Sequence, residues 1–197
     1  MGRLLCAAAL LCAATAPAHA GLFEAYGQLN AGGGFGRGTA NAGSKDFFEA
    51  VQGGSFGGEV GVEILYIDLF VDHYEFFTNK LTGNWTQFML GLDASFPMDD
   101  DHSTEATIGV DAGFGVGVLG SDTLLDKTLR VSNKGLVSEL RLQGDRLLGK
   151  YASFGLDLRV GYHYLIDQNK PINAPDATSQ GMQLFGGVAF KVHFGTN

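Results

Sequence analysis

Charged side chains recur at alternate positions inside otherwise apolar segments of this 197-residue sequence. Asp157 and Arg159, for example, stand two residues apart in a segment where the intervening positions hold leucine, valine and tyrosine. Carboxylates and guanidinium groups on one side of a strand can pair with each other, bind cations or relay protons. Eleven residues form this candidate polar network: Glu24, Glu59, Glu63, Asp93, Asp111, Glu139, Arg141, Asp157, Arg159, His163 and Lys191.

No catalytic or metal-binding motif stands out among the other polar residues. Hydrolytic sites combine clustered His, Ser and Asp or Glu, but the sequence has no His-x-Ser pattern, and His102-Ser103 falls on a predicted turn. His73 lies on an irregular segment. The run 99–101 offers three aspartates to calcium, yet no glycine-organised loop follows it, so a solvated turn is predicted. The sequence therefore predicts no catalytic residue, no metal site, no cofactor and no enzyme.

Residues 106–118 show the elements that must position the charges. Apolar side chains occupy every second position there, and glycine, threonine and aspartate occupy the others. A period of two indicates a β-strand, and this one exceeds the ~5–6 residues usual in soluble sheets. It is long enough to cross a bilayer at a tilt, which takes ~9–11 residues. Eight strands are predicted, at about residues 22–36, 55–65, 68–77, 85–96, 106–118, 136–144, 152–165 and 182–194.

The third of these strands is the least regular. One of its sides carries two acidic and three aromatic residues: Asp68, Phe70, Asp72, Tyr74 and Phe76. Because neither side is clearly apolar, the pattern leaves open which side faces inward.

The connections between the strands alternate in length. The tight ones follow strands two, four and six, at residues 66–67, 97–104 and 145–150. Longer ones follow strands one, five and seven, at residues 37–54, 120–135 and 166–181, with a shorter loop at 78–84 after strand three. Outer-membrane barrels show this asymmetry, with short periplasmic turns and long extracellular loops. The chain is therefore predicted to be one domain, an all-β, eight-stranded antiparallel up-and-down barrel.

Alternation alone does not decide which face of the barrel looks outward. A soluble barrel of the lipocalin type also alternates, with its apolar face inward. The polar face here is rich in glycine, however, which suits a crowded narrow interior better than a solvated surface. We therefore favour a transmembrane barrel with its polar face inward and keep the soluble ligand-binding barrel as an alternative.

Aromatic residues near the strand ends favour the same choice, because aromatic girdles belong at bilayer interfaces. The predicted girdle consists of Phe56, Trp85, Tyr162 and Tyr164 near the loops, and Tyr66, Phe96 and Phe194 near the turns.

The inward placement gives the charged network two interpretations. One is a cation-selective pore or proton path. The other is a set of ion pairs and trapped water that fills the interior, and we favour it because an eight-stranded barrel is just wide enough for its own side chains. Glu139, Arg141, Asp157 and Arg159 are expected to meet inside the barrel and neutralise one another, since strands six and seven should be neighbours.

The first twenty residues have the features of a secretory signal peptide. Arg3 precedes an apolar run from Leu4 to Ala16, and residues 18–20 form a small-x-small cleavage site. Both cysteines fall inside this segment, so the barrel domain, residues 21–197, is expected to have no disulfide. No later segment offers ~18 consecutive apolar residues. The net charge of -8 argues against nucleic acid as a partner.

With these features the chain resembles the small outer-membrane barrels of Gram-negative bacteria, of the OmpA transmembrane domain and OmpX kind. Phe190, Val192 and Phe194 in the last strand look like the aromatic signal that the outer-membrane assembly machinery recognises, although three further residues follow. The resemblance implies a monomer in the bacterial outer membrane, in contact with membrane lipid and lipopolysaccharide. We expect no soluble peptidoglycan-binding domain after the barrel, in contrast to full-length OmpA.

The loops of such a barrel can carry its function. Apolar and basic residues in the first and third loops could contact lipopolysaccharide or a surface partner, or pack over the barrel mouth: Lys45, Phe47, Phe48, Leu124, Leu125, Lys127, Leu129 and Arg130. The leading prediction is a non-catalytic barrel with a structural or surface-interaction role. A narrow pore or transporter for small solutes or ions, and an enzyme acting on outer-membrane lipid, stay open as alternatives.

Overall fold

The computed structural model describes residues 23–40, 48, 51–77, 81–121, 131–167 and 178–196. It contains eight strands: β1 (Phe23–Ala40), β2 (Gly53–Ile64), β3 (Ile67–Phe77), β4 (Leu81–Pro97), β5 (Thr104–Ser121), β6 (Val131–Leu147), β7 (Ala152–Asp167) and β8 (Thr178–Thr196). The predicted signal peptide lies outside the described residues, as do Lys45, Phe47 and the third-loop residues 124–130. No helix within the described ranges is both long and apolar enough to cross a membrane.

Every strand pairs antiparallel with the next one along the chain, and β1 pairs with β8 to close the barrel. The predicted fold class is therefore confirmed. The strands extend beyond the segments that alternation marks out, because backbone pairing continues where the side chains no longer alternate. The ladder between β1 and β8 runs from the pair Phe23–Thr196 to the pair Ala40–Ser179.

The alternation of side chains follows the pairing register. In β4 the side chains of Phe88, Leu90 and Leu92 point out of the barrel and are more than half exposed, whereas Met89 and Asp93 point inward and are buried. Closure explains this regularity, because a slip of one residue in any ladder would turn a whole strand inside out. The apolar faces that the sequence predicts to point outward do so on the other strands as well.

The facing of β3, which the sequence left open, is settled by the structure. Its mixed acidic and aromatic side points inward, and those side chains are at most 5% exposed: Asp68, Phe70, Asp72, Tyr74 and Phe76. Leu69 points outward and is half exposed. The opposite facing would have placed two carboxylates against the apolar surroundings of the outer wall, which costs more than burying aromatic rings inside.

Three short connections gather at one end of the barrel, where β1 also starts and β8 ends. We call this the turn end, and the opposite end, where β1, β3, β5 and β7 finish, the loop end. The turn between β2 and β3 consists of Leu65 and Tyr66 alone, and Leu65 adopts a φ of 59°. A two-residue hairpin of this kind needs a positive φ at its first position.

Glycines on the inner face make room for large side chains from neighbouring strands. A Cβ on Gly61 would lie 2.6 Å from the ring of Tyr26, and one on Gly115 would collide with the indole of Trp85. The glycine-rich polar face of the sequence therefore reflects a crowded interior, as the membrane interpretation expects.

Hydrogen bonds organise the turn between β4 and β5. Asp99 accepts the Ser103 hydroxyl at 2.8 Å and the Thr104 amide at 3.0 Å, and Asp101 accepts the Ser103 amide at 3.2 Å. The aspartate run thus caps its own turn, which is the structural alternative to calcium binding. The hydrogen bonds from Ser103 and then Thr104 lower the pKa of Asp99 below its ordinary value.

This lowered pKa gives the turn an expected pH dependence. The hydrogen bonds to Asp99 stabilise the turn fully above the ordinary aspartate pKa of ~3.9, and they are lost only as the pH falls through the lower folded value. Replacing Ser103 with alanine should move the pKa of Asp99 back towards the ordinary value. Carboxyl-carbon NMR of the folded protein in micelles measures this, with Ser95→Ala as a control that removes a hydroxyl elsewhere. An unchanged Asp99 titration in Ser103→Ala would show that the turn does not depend on this hydrogen bond.

Candidate functional site

Two buried arginines occupy the middle of the interior. Arg141 on β6 and Arg159 on β7 are direct cross-strand partners, and neither is more than 3% exposed. Two guanidinium groups this close repel each other unless carboxylates surround both of them. Those carboxylates come mainly from the other strands of the barrel.

Arg141 reaches away from its own strand to β2, β3 and β4. Its Nη1 donates to Glu59 at 2.9 Å, and its Nη2 donates to Asp68 at 3.0 Å and to Asp93 at 3.1 Å. Asp111 lies further away, at 3.7 Å. This side chain therefore ties four strands to β6 across the lumen.

Arg159 makes a second set of contacts. Its Nε donates to Oδ2 of Asp157 at 2.8 Å, and its Nη2 lies 2.7 Å from the same oxygen. Its Nη1 donates to Asp72 at 3.0 Å, and its Nη2 donates to Glu59 at 2.9 Å. Glu139 lies 3.5 Å from Nη1. The contacts with Oδ2 of Asp157 and with the carboxylates of β2 and β3 hold the guanidinium across the lumen.

The predicted meeting of four charges between β6 and β7 is therefore only partly right. Arg159 does pair with Asp157 and lies near Glu139, but Arg141 takes its partners from β2, β3, β4 and β5. The reason is geometric: the two arginines are directly opposed on β6 and β7, so both side chains reach across the barrel, where Glu59 lies between them and the other carboxylates separate their charges.

Glu59 joins the two arginine clusters. One of its carboxylate oxygens accepts from Arg141 and the other accepts from Arg159. The hydroxyl of Tyr26 lies 2.7 Å from Glu59 and 2.7 Å from Asp68. A hydroxyl has one hydrogen to donate, so two contacts this short call for a proton on one of the carboxyls.

Buried amide side chains extend the network along the lumen. Gln143 donates to Asp145 at 2.7 Å and to Gln28 at 3.1 Å. Towards the loop end, Gln87 donates to Asp72 at 3.0 Å and accepts the indole N–H of Trp85 at 3.0 Å. These amides thus supply hydrogen bonds to Asp145, which the arginines do not contact, and to Asp72, which also pairs with Arg159.

Acidic groups outnumber basic ones in this part of the lumen. Two guanidinium groups and eight carboxyls are buried among the described residues, the carboxyls being Glu59, Asp68, Asp72, Asp93, Asp111, Glu139, Asp145 and Asp157. Neither carboxylate oxygen of Asp111 has a hydrogen-bond partner. Since an unpaired buried charge is very costly, some of these carboxyls must hold or share protons. Within the described ranges no group of three or more acidic or histidine side chains is placed to hold a metal ion.

The turn end of the lumen has its own ion pair. Lys191 lies 2.9 Å from Glu24 and 4.4 Å from the centre of the Tyr26 ring. His193 lies 3.4 Å from the same carboxylate. Glu63 is the cross-strand partner of Glu24 and is half-buried at the same level. These groups are partly open to solvent, in contrast to the arginine clusters.

The loop end of the lumen is filled by aromatic and apolar side chains. Tyr74, Trp85, Leu165 and Phe185 are buried there, and the rings of Tyr74 and Phe185 lie 5.5 Å apart. Between this layer and the guanidinium of Arg159 remains a cavity of about 10 Å³. That is about the volume that one water molecule needs.

Trp85 corrects the predicted aromatic girdle. Its side chain is 1% exposed and lies inside the barrel, where its ring meets the ring of His163 edge-on at 5.6 Å. The alternation in the sequence already predicts this facing, because Trp85 lies two and four residues before the inward-facing Gln87 and Met89. The predicted girdle residues that are more than a third exposed on the outer wall are Phe56, Tyr162, Tyr164 and Phe194, and Tyr66 and Phe96 are half-buried.

Two residues from the connection between β1 and β2 also enter the loop end. Phe48 is 3% exposed and Val51 is fully buried. They lie over the glycines of β1 and β8: a Cβ on Gly38 would collide with the ring of Phe48, and one on Gly36 would collide with Val51. Of the two predicted roles for Phe48, the structure therefore shows packing over the barrel mouth.

The distribution of polar and apolar side chains shows which environment surrounds the barrel. The described interior holds ion pairs and amides, and the outer wall is a continuous band of exposed leucine, valine, isoleucine and aromatic side chains. A wall of this kind is stable in lipid, and closure pairs the strand edges that a membrane does not tolerate. The protein has the architecture of a transmembrane β-barrel.

Solved structures of similar fold exist for this barrel. Neisserial surface protein A (NspA) is 12% identical with a TM-score of 0.48, covering 85% of this chain and 95% of its own. The N-terminal β-barrel domain of Pseudomonas aeruginosa OprF is 11% identical with a TM-score of 0.48, covering 88% and 98%. Ail, the attachment invasion locus protein of Yersinia pestis, is 11% identical with a TM-score of 0.36, covering 85% and 98%. At such values these likenesses carry no argument about function. No family model and no curated protein matches the chain.

Several residues of the barrel interior are not among the network residues predicted from the sequence. They are Tyr26, Gln28, Asp68, Asp72, Gln87, Gln143 and Asp145. Asp68 and Asp72 could have been found, because two carboxylates on one side of β3 already favour an inward facing. The amides carried no charge to mark them, and their partners lie on other strands.

Substitutions at different members of the network are predicted to change the stability of the barrel by different amounts. Arg159→Ala should lower the free energy of unfolding by ~3–5 kcal/mol, because it strands several buried carboxylates. Asp111→Asn should cost far less or stabilise the barrel, because Asp111 has no hydrogen bond to lose and adds to the acidic excess. Denaturant unfolding in detergent measures both.

A double variant separates the pair from its surroundings. Asp157→Ala combined with Arg159→Ala should recover part of the loss, since it also removes the carboxylate nearest to Arg159. Asp72 and Glu59 still lose their contact with Arg159 in the double variant. Equal losses for Arg159→Ala and Asp111→Asn would mean that the acidic excess is not neutralised by protons as we infer.

Proposed function

We propose that this protein is a non-conducting outer-membrane barrel with a structural and surface-interaction role, which presents the connections at its loop end outside the cell. The observation that carries the proposal is the filled lumen. A barrel that neither passes solutes nor holds a reaction in its interior leaves its outer surfaces and loops to do its work.

The middle layer supports a closed lumen because the two arginines cross it. Arg141 and Arg159 contact carboxylates on β2 and β3 from the opposite side of the barrel. Each guanidinium also lies over an aromatic ring, Phe70 at 4.7 Å and Tyr74 at 5.7 Å. An ion passing through would have to displace several of these charge-assisted contacts at once.

The loop-end layer supports the same conclusion independently. Trp85, Tyr74 and Phe185 cover the arginine layer, and Phe48 and Val51 lie above β1 and β8. Among the described residues this layer is apolar, so a hydrated ion that crosses it would have to move these side chains. A cation pore remains the competing function because of the excess of interior carboxylates, which would attract cations if the lumen opened.

The partners that we propose follow from the surfaces. The exposed apolar wall fits membrane lipid, and the loop end of a barrel in the outer membrane faces lipopolysaccharide. Phe190 and Phe194 point outward on β8, where the assembly machinery could reach them. The expectation that the protein is not an enzyme stays a prediction.

Single-channel recording in planar bilayers tests the closed lumen. The wild-type protein should give no steady unitary conductance. Trp85→Ala combined with Arg159→Ala removes a side chain from each layer and should produce openings, whereas Phe88→Ala removes a ring of the outer wall and should not. Steady cation-selective conductance of the wild-type protein would contradict the proposal and favour the pore.

Epitope labelling of intact cells tests the presentation of the loops. A short epitope inserted within residues 122–130 should be labelled by antibody on whole cells. The same epitope in the turn at residues 148–151 should be labelled only after the outer membrane is permeabilised, because the turn end faces the periplasm in this proposal. The reverse pattern would mean that the barrel has the opposite orientation.

A further inference from the structure

A polar cluster stands on the outer wall of the β3–β4 hairpin, away from the lumen network. The imidazole Nδ1 of His73 lies 2.7 Å from the hydroxyl of Thr86, and its Nε2 lies 3.2 Å from the carboxylate of Glu75. The side chains of His73 and Glu75 are 48% and 54% exposed. The cluster thus presents a hydroxyl, an imidazole and a carboxylate to the outside in that order.

The sheet register builds this cluster. His73 is the cross-strand partner of Thr86, and Glu75 is the partner of Asn84. His73 and Glu75 are two residues apart on β3, so all four side chains share the outer face of the hairpin. They stand near the loop end, since β3 finishes at Phe77.

Polar side chains near the rim of a barrel cost little in lipid. Their position near the loop end therefore accounts for their polarity, but not for the order in which they hydrogen-bond to one another. The lumen network does not contact His73, Glu75 or Thr86 in any hydrogen bond or ion pair of the described residues. The cluster is therefore a self-contained chain of hydrogen bonds on the outer face, separate from the lumen network.

A hydroxyl, an imidazole and a carboxylate in hydrogen-bonded sequence form the arrangement of nucleophilic acyl transfer. The imidazole takes the hydroxyl proton as general base, and the carboxylate holds the imidazole in the orientation that this requires. We propose that Thr86, His73 and Glu75 form a hydrolytic site on the outer wall that acts on the acyl esters of membrane lipids.

An apolar groove next to the cluster identifies the substrate class. The next outward pair towards the middle of the membrane is Val71–Phe88, directly below His73–Thr86 along the hairpin. From there a groove of about 920 Å³ runs across the outer wall. Its outward-facing lining includes Val60, Leu69, Val71, Phe88, Leu90 and Phe114. An acyl chain lying in this groove brings its ester group to Thr86 and leaves the head group at the loop end.

The reaction is a two-step hydrolysis. The Thr86 oxygen bonds to the ester carbonyl carbon while His73 takes the hydroxyl proton. The ester C–O bond then breaks, and the leaving alcohol takes that proton from His73, so the acyl group remains on Thr86. A water molecule attacks the acyl-Thr86 carbonyl with its proton passing to His73, and the fatty acid leaves as Thr86 regains its hydrogen.

Asn84 is the side chain placed to assist the charge that develops on the carbonyl oxygen. Its Oδ1 accepts the backbone N–H of Val118 at 3.3 Å, which fixes the amide and leaves Nδ2 as its donor. It stands two residues from Thr86 on the same outer face. A fixed amide donor beside the nucleophile is one form of oxyanion stabilisation.

This activity goes beyond the proposed surface role, is independent of it, and stands against the expectation from the sequence that the protein is not an enzyme. Conductance and labelling test the closed lumen and the loops, whereas hydrolysis tests the outer wall alone. A barrel that is closed but hydrolytically inactive would leave the proposed function standing and remove only this inference.

The test uses the folded full-length barrel in detergent micelles. The probes are p-nitrophenyl palmitate, p-nitrophenyl acetate and a diacyl phosphatidylethanolamine in mixed micelles. Palmitate ester and phospholipid should be hydrolysed well above background, and the acetate ester much more slowly because it lacks a chain for the groove. Thr86→Val and His73→Gln should each lower the rate at least ~100-fold, in line with the contribution of a nucleophile or general base.

Two controls separate chemistry from folding. Each variant must show the heat-modifiable gel shift of a folded barrel, and Thr107→Val, which removes a hydroxyl bonded only to that of Ser95 in the described contacts, should keep the wild-type rate. Mass spectrometry of the protein quenched during turnover should find the acyl group on Thr86. Wild-type protein inactive on all three probes, or equal activity of Thr86→Val, would overturn the proposal.

Discussion

The width of an eight-stranded barrel is the constraint on which this molecule depends. In a membrane the backbone must pair all of its polar groups internally, so the sheet has to close. Eight strands close around a space that a few long side chains fill. Polar groups that cannot face lipid are then forced together, and Arg141, Arg159 and Glu59 become the centre of the fold because side chains from β1 to β7 meet there.

The same narrowness explains the composition of the inner face. Large side chains such as Tyr26 and Trp85 fit only because glycines lie opposite them. The acidic excess is tolerable for a related reason: groups packed this closely share protons and hydrogen bonds that separated groups could not share. The outer wall follows the opposite rule and is mainly apolar, and its polar side chains include His73 and Glu75 in the hairpin of β3 and β4 and Ser138 on β6.

The fold was predictable from the sequence because the side chains of each strand alternate between apolar and polar. This alternation shows how many strands there are and which face of each points inward, and the strand number in turn suggests a closed barrel. The inward charges on β2, β4, β5, β6 and β7 followed from the same alternation. The contacts across the lumen did not, since they depend on the stagger between strands that are not neighbours. Asp68 and Asp93 meet at Arg141 although nothing in their spacing along the chain relates them. The pair His73–Thr86 was missed for a similar reason: it needs the exact register of one hairpin, and β3 was the strand whose facing the pattern left open.

The seam between β1 and β8 has a consequence for how the chain reaches this state. Its ladder pairs residues at the two extremes of the described chain, from Phe23 with Thr196 to Ala40 with Ser179. Contacts so distant in sequence are slow to form, since the loop entropy is lost before they stabilise anything. A chain that stops short of residue 178 would expose two long unpaired edges at once, each a template for pairing with another chain. Pairing of β8 with β1 is therefore the step that completes the fold. Before it, the sheet has two open edges that can pair with other chains, and after it, the barrel has no open edge.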